Sequence, residues 1–312
     1  MKKITILVPC YNEEMNLPLL YPELVKLMDE NRAYEWELLF VNDGSHDGTL
    51  ERLYEMRHQD PRVNIVSLSR NFGKEVAMLV GFDYAKGDCM VIVDADLQDP
   101  PSLIPEMIHW WEQGYDDVYA KRKSRGKESW LRKRLSLMFY RMLQQSSRFD
   151  MLKNVGDFRL LDRRCINALR RMRESERYTK GMFSWIGFKK KEIEFDRGNR
   201  QVGKSSWSYR QLFSLAIDGI TSFSSAPLRI STIAGFFISM LAFIYMMVVF
   251  VRALFWGNPV QGYPSLLVFI LFLGGIQLLS IGIIGEYIGR IYNESKHRPD
   301  YIVDEYNEEK VS

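Results

Sequence analysis

The sequence predicts an α/β domain built on a mostly parallel sheet, followed by two C-terminal transmembrane helices. Three observations predict it. Over the first two-thirds of the 312-residue chain, short β-branched runs alternate with helical patterns, as in βαβ units. Each such run ends in polar residues, and a doubly wound sheet gathers these strand ends on one ligand-binding edge. Near the C-terminus, two long apolar runs without charge each reach the roughly 20 residues needed to cross a ~30 Å hydrocarbon core.

Ile4–Val8, Trp36–Val41, Val63–Leu68 and Met90–Val93 read as strands. Asn16–Asn31, Asp47–His58 and Gly73–Ala85 read as helices, the first with Leu17, Leu20, Leu24, Leu27 and Met28 at helical spacing. The N-terminal apolar run is too short for a secretory leader. Strand ends carry P-C-Y-N-E-E, N-D-G-S-H-D-G-T and S-R-N-F-G-K in turn. No glycine-rich dinucleotide fingerprint follows the first strand, which argues against a nicotinamide or flavin cofactor. Asp43 suits a simple turn before a helix capped at Asp47, and equally a carboxylate facing a base or ribose. Cys10, Cys89 and Cys165 are odd in number, far apart and without His at metal spacing. They point to a reducing compartment rather than to a disulfide framework or zinc site.

The fourth strand stops abruptly in D-A-D-L-Q-D-P-P, Asp94 to Pro101, where two prolines forbid its continuation. Asp-x-Asp at a strand end suits Mg²⁺ or a similar hard cation, which takes one or two protein carboxylates and completes its shell with phosphate oxygens and water. Beyond Tyr119 the chain turns basic. Lys121–Arg134 holds eight basic residues and one acid and runs into an amphipathic pattern over Trp130–Gln145. That combination fits a membrane interface and an anionic head group better than RNA, so no nucleic-acid partner is expected. Gly156-Asp157-Phe158-Arg159 has no periodic context, and Leu160–Met172 reads as a basic helix. Gly198–Ser205 matches G-x-x-x-x-G-K-[ST] after strand-like Glu192–Phe195, but late in the chain and without a plausible second acidic motif. A second amphipathic segment, Trp207–Phe223, follows.

The spans are Ile230–Val251 and Ser265–Ile284, with Glu286 expected at the interface. Arg229 precedes the first, and Arg290, Lys296 and Arg298 follow the second. The positive-inside bias then puts the large domain and both termini in the cytoplasm. The expected divisions are residues 1–225 for the catalytic domain with interfacial helices, 226–292 for a two-helix membrane domain and 293–312 for a cytoplasmic tail. The last residues, Asp304–Ser312, are expected to fray.

V-P-C-Y-N-E-E, V-N-D-G-S-H-D-G-T, S-R-N-F-G-K-E, D-A-D-L-Q-D-P-P, G-D-F-R-L-L-D-R and I-G-E-Y-I-G-R-I-Y occur in order along nearly the whole chain. Together they resemble the polyprenyl-phosphate glycosyltransferases of glycosyltransferase family 2, in particular the bactoprenol glucosyltransferases, with dolichol-phosphate mannose synthases more distant. The resemblance implies a GT-A fold and transfer of a hexose, with inversion, from a UDP-sugar to undecaprenyl phosphate on the inner face of a bacterial cytoplasmic membrane. Glucose is the first choice of sugar and N-acetylglucosamine the alternative. Pro9, Tyr11, Glu13, Asp43, Asp94 and Ala95 match nucleotide-binding positions. Asp94, Asp96 and Gln98 match the set around Mg²⁺ or Mn²⁺, with Asp96 and Asp157 as catalytic positions. Arg122, Arg125, Arg200, Lys204 and Ser205 match acceptor-phosphate positions, although Ser206 replaces the lysine expected before Trp207. Implied partners are a flippase, an outer-face glycosyltransferase and a second copy of the chain in a homo-oligomer. A processive polysaccharide synthase would need Q-x-x-R-W and more spans. A membrane NTPase would use Gly198–Ser205, and a non-catalytic scaffold would tolerate Asp96→Asn and Arg122→Ala.

Overall fold

The computed structural model describes residues 1–122, 155–175, 177–195, scattered positions between 231 and 255, and 262–311. Four strands form the parallel centre: β1 (Lys3–Cys10), β2 (Glu35–Asn42), β3 (Val63–Leu68) and β4 (Cys89–Ile92). Helices α1 (Leu17–Glu30), α2 (Thr49–Gln59) and α3 (Lys74–Tyr84) connect them, and α4 (Ile104–Glu112) follows β4. The βαβ expectation therefore holds, with boundaries displaced by a residue or two. One core layer packs Ile4, Leu24, Phe40 and Met107, and the other packs Leu7, Leu39, Met78 and Phe82. Gly81 lets α3 approach β1, since a Cβ there would stand 2.2 Å from Leu7 Cδ2.

The sheet is wider than the four leading strands and strand-like Glu192–Phe195 read from the sequence, the last of which falls within Lys190–Phe195. Its order is β7-β5-β6-β4-β1-β2-β3-β8-β9. Here β5 is Asp117–Arg122, β6 is Val155–Asp162, β7 is Lys190–Phe195, β8 is Val303–Tyr306 and β9 is Glu309–Lys310. The G-D-F-R segment, which lacked a periodic context in the sequence, lies inside β6, antiparallel to both β4 and β5. Its pattern escapes a simple apolar/polar reading because both faces are buried. Phe158 and Leu160 enter one core layer, while Arg159 lies buried with Asp117. The basic helix expected from Leu160 begins later, as α5 (Arg163–Arg170), where Asp162 accepts a hydrogen bond from Arg164 N at 2.8 Å. A short helix α6 (Thr179–Trp185) precedes β7.

Helix α7 (Tyr263–Ser295) has 33 residues, about 50 Å at 1.5 Å per residue. It runs beyond the predicted end at Ile284, with Glu286 and Arg290 paired at 3.2 Å along its exposed flank. Among the described residues it is the one helix long and apolar enough to cross a membrane. Of the first apolar run only separate positions are described. Two of them touch α7: Ser231 meets Ser280 at 3.0 Å, and the Tyr245 ring stacks on Phe269 at 5.4 Å. Numbering rises on one side as it falls on the other, an antiparallel arrangement.

The C-terminal segment is not frayed over its described length. Residues Val303–Tyr306 (β8) pair antiparallel with β3, and Glu309–Lys310 (β9) pair with β8. Asn307 accepts a hydrogen bond from Ile65 N at 2.8 Å, and Tyr54 donates to Glu305. Tyr301 donates to Asp83 at 2.8 Å, and Arg173 joins Asp83 at 2.7 Å. Polar composition suggested a loose end because these residues gain order from the unpaired edge of β3 rather than from their own apolar surface. Truncation after Pro299 is expected to cost about 2–4 kcal/mol through lost ladder bonds and tyrosine burial. An unchanged melting temperature of the truncated protein in detergent would exclude that contribution.

Candidate functional site

A cavity of about 250 Å³ lies at the carboxyl ends of β1, β2 and β4, where an open α/β sheet holds its ligand. Six residues matched to nucleotide binding line it: Pro9, Tyr11, Glu13, Asp43, Asp94 and Ala95, joined by Asp96. Tyr11 follows β1 and is 42% exposed, its ring edge-on to His46 at 6.5 Å. Glu13 accepts from Asn16 Nδ2 at 2.5 Å, and its backbone N–H donates to Thr49 Oγ1 at 2.8 Å.

Asp43 is buried, and its two oxygens accept from Phe72 N at 2.7 Å and Gly73 N at 2.8 Å. Burial pushes its carboxyl up, and those two amides and Arg70 oppose the shift. Asp43 thus shapes the β3–α3 loop as well as facing the cavity. Gly44 permits this meeting of loops: its φ is +61°, and a Cβ there would lie 2.3 Å from the Arg70 carbonyl carbon.

Asp94 and Asp96 follow β4 in a loop where Leu97 has a φ of 59° and Asp96 accepts from Gln98 N at 3.2 Å. Gln98 itself does not line the cavity. Asp99 is buried below, and burial together with the charge of Asp94 pushes it up to about 7. Among the described residues no three His, Cys, Asp or Glu side chains converge as a metal cage. The donor set nevertheless fits a hard cation, because Mg²⁺ or Mn²⁺ sharing phosphate oxygens asks only one or two carboxylates of the protein. A cation already sits there: the Lys74 ammonium lies 2.6 Å from Asp94 Oδ1.

Lys74 was not singled out from the sequence, although its S-R-N-F-G-K loop was. Its Nζ also lies 2.7 Å from Asp157 Oδ2. The sheet explains the meeting. Ile92 on β4 pairs with Arg159 on β6, so two further residues along the same register bring Asp94 opposite Asp157. Burial would raise the Asp157 carboxyl, but Lys74 and then Lys180 reverse this and hold it at about 2. The N-terminus of α6 docks beside it, with Thr179 N donating to Glu75 at 2.9 Å.

Arg122 closes β5 beside Gly156. Arg125, Arg200, Lys204 and Ser205 lie outside the described residues, as do Ser206 and the amphipathic segments Trp130–Gln145 and Trp207–Phe223. A wider groove of about 530 Å³ at the opposite edge of the sheet, near Trp36, contains none of the predicted site residues. Its Arg62 is already paired with Asp29 at 2.8 Å and Asp60 at 2.7 Å.

Comparison with known proteins places the chain in a family. Residues 5–170 match the model of glycosyl transferase family 2, and residues 226–291 match that of the GtrB C-terminal hairpin. An uncharacterized glycosyltransferase of Synechocystis is 44% identical over 303 residues, covering 97% of this chain and 95% of that protein. The bactoprenol glucosyl transferase of Shigella phage SfV is 44% identical over 301 residues, covering 96% and 98%. A prophage bactoprenol glucosyl transferase homolog of Escherichia coli is 43% identical over 301 residues, again covering 96% and 98%. With the family model matched over residues 5–170, the stretch that carries the cavity-bearing sheet, and relatives aligned almost end to end, the chain belongs to glycosyl transferase family 2.

Proposed function

We propose that this protein transfers a hexose, glucose first, from a UDP-sugar to undecaprenyl phosphate at the cytoplasmic face of a bacterial membrane, with inversion. The observation that carries the proposal is the 44% identity to a bactoprenol glucosyl transferase across both the sheet domain and the apolar hairpin. Pro9, Tyr11, Glu13 and Asp43 are assigned to the nucleoside. Asp94 and Asp96, with Gln98 closing the loop, are assigned to Mg²⁺ or Mn²⁺. The metal's chemistry would be to neutralise the departing diphosphate.

Asp157 is assigned to orienting the acceptor rather than deprotonating it. A phosphate monoester is mostly ionised at neutral pH, its second pKa being about 6, and a carboxylate held at about 2 is a poor base. The acceptor therefore needs placement and a countercharge. Lys74 and Lys180 beside Asp157 supply positive charge on the described side. Arg122, with Arg125, Arg200, Lys204 and Ser205, is assigned to the phosphate from the basic loops.

Two crossings are assigned, with both termini on one side of the bilayer; the basic residues Arg229, Arg290, Lys296 and Arg298 assign that side to the cytoplasm. Strand β8 lies in the same sheet as β1–β4, so the chain between β7 and β8 crosses the bilayer an even number of times. If α7 is one crossing, the run Ile230–Val251 supplies the other, in line with its antiparallel contacts. The product would then be passed to a flippase and an outer-face transferase.

The test is transfer from a panel of radiolabelled UDP-sugars to undecaprenyl phosphate in detergent, with Mn²⁺ or with EDTA. Metal-dependent labelling from UDP-glucose alone is expected. Labelling from UDP-N-acetylglucosamine instead would change the sugar. No labelled lipid from any donor, with ATP hydrolysis in its place, would overturn the assignment in favour of the Gly198–Ser205 loop.

A further inference from the structure

We propose that Lys74 is the positioning residue of the transfer step, an inference that rests on the glycosyl-transfer reading above. Its ammonium bridges the two halves of the site, 2.6 Å from donor-side Asp94 and 2.7 Å from acceptor-side Asp157. The β4–β6 register sets these two carboxylates opposite one another, and like charges so placed repel unless a cation lies between them. Lys74 is the first residue of α3, immediately after Gly73, whose backbone N–H is held by Asp43. The turn that faces the nucleoside therefore also sets the height of the ammonium.

The bond has a consequence for the acceptor side. Lys74 engages Asp157 Oδ2, and Oδ1 is buried without a hydrogen-bond partner among the described residues. A buried oxygen in that condition is costly and calls for a ligand. Lys74 thereby fixes which oxygen of Asp157 faces the acceptor and in what orientation. On the donor side, Lys74 and a divalent cation are rivals for Asp94 Oδ1, so Lys74 does not help to bind metal. It holds Asp157 in line while Asp94 changes partners. The side chain is 42% exposed on the cavity side, which leaves room for that change.

Lys74→Met in the full-length protein in detergent separates this role from donor binding. Turnover with UDP-glucose and undecaprenyl phosphate is expected to fall about 100-fold, the scale of a 1 Å misplacement. KM for UDP-glucose is expected to stay within about threefold. Mn²⁺ affinity in the presence of UDP, measured calorimetrically without turnover, is expected to hold or to rise. Lys74→Arg, which keeps the cation but alters its reach, is expected to restore part of the turnover and serves alone if Lys74→Met does not fold. Mn²⁺–UDP affinity falling in step with turnover would overturn the proposal, because Lys74 would then be a donor ligand. Wild-type turnover in Lys74→Met would also overturn it. Absence of transfer by the wild-type protein assayed in parallel would instead overturn the functional reading itself.

Discussion

Asp94→Asn combined with Asp96→Asn is expected to reduce sugar transfer by at least about a thousandfold, with no recovery at raised Mn²⁺. Both side chains line the cavity at the end of β4, and each substitution keeps shape while removing a charge. Loss of a single electrostatic stabiliser of a transition state typically costs 10²–10³ in rate, about 2.7–4 kcal/mol. Here the missing charges would also be those that hold the cation against the departing diphosphate. The fold should survive, because removing Asp94 takes one of two carboxylates from Lys74 and leaves Asp157 in place. The check is turnover together with Mn²⁺-dependent UDP binding and a melting curve. Full turnover in folded double-variant protein would exclude this loop from the chemistry.

Arg159→Leu is expected to destabilise the fold by about 3–5 kcal/mol, the usual result of breaking a buried ion pair from one side. Arg159 is 1% exposed and Asp117 0%, with Nη1 and Oδ2 at 3.1 Å. The guanidinium also lies 3.7 Å from the centre of the Phe183 ring. Burial already pushes the Asp117 carboxyl up, opposed first by Arg159 and next by Lys190, while Asp116 adds to the rise. Without Arg159 the folded-state value rises further above that of the unfolded chain. A group shifted this way favours folding fully below its unfolded pKa, and that contribution disappears as pH passes its folded pKa. The variant's deficit should therefore be larger at pH 8 than at pH 5. Asp117→Leu with Arg159→Leu should recover much of the loss, since no buried charge is then left alone. Melting temperatures at the two pH values decide the matter: equal deficits would mean that packing on Phe183, not the ion pair, is what Arg159 contributes.

Much of this molecule is local and was therefore legible in the sequence. The four parallel strands and three crossover helices follow from periodicity, because each buries its own apolar face. The cavity was legible for the same reason, since strand ends place Pro9, Asp43 and Asp94 on one edge whatever the details of packing. The long apolar helix declared itself by composition alone. What escaped depends on partners distant in sequence. Strand β6 carries Asp157 and Arg159 at positions that a solvent-facing pattern would explain, and in the fold they are offset by residues distant in sequence, Asp157 by Lys74 and Lys180 and Arg159 by Asp117. The Asp304–Ser312 segment has too little apolar surface to order itself, and becomes sheet over 303–310 because β3 offers an unpaired edge. Lys74 read as one more polar residue at a strand end, and its meaning came from a register between β4 and β6 that no local pattern encodes. Periodicity determines which elements form, because each element's burial is decided by its own residues. Which charges meet is decided by tertiary structure, because an ammonium and a carboxylate 83 residues apart become neighbours only when the sheet closes between them.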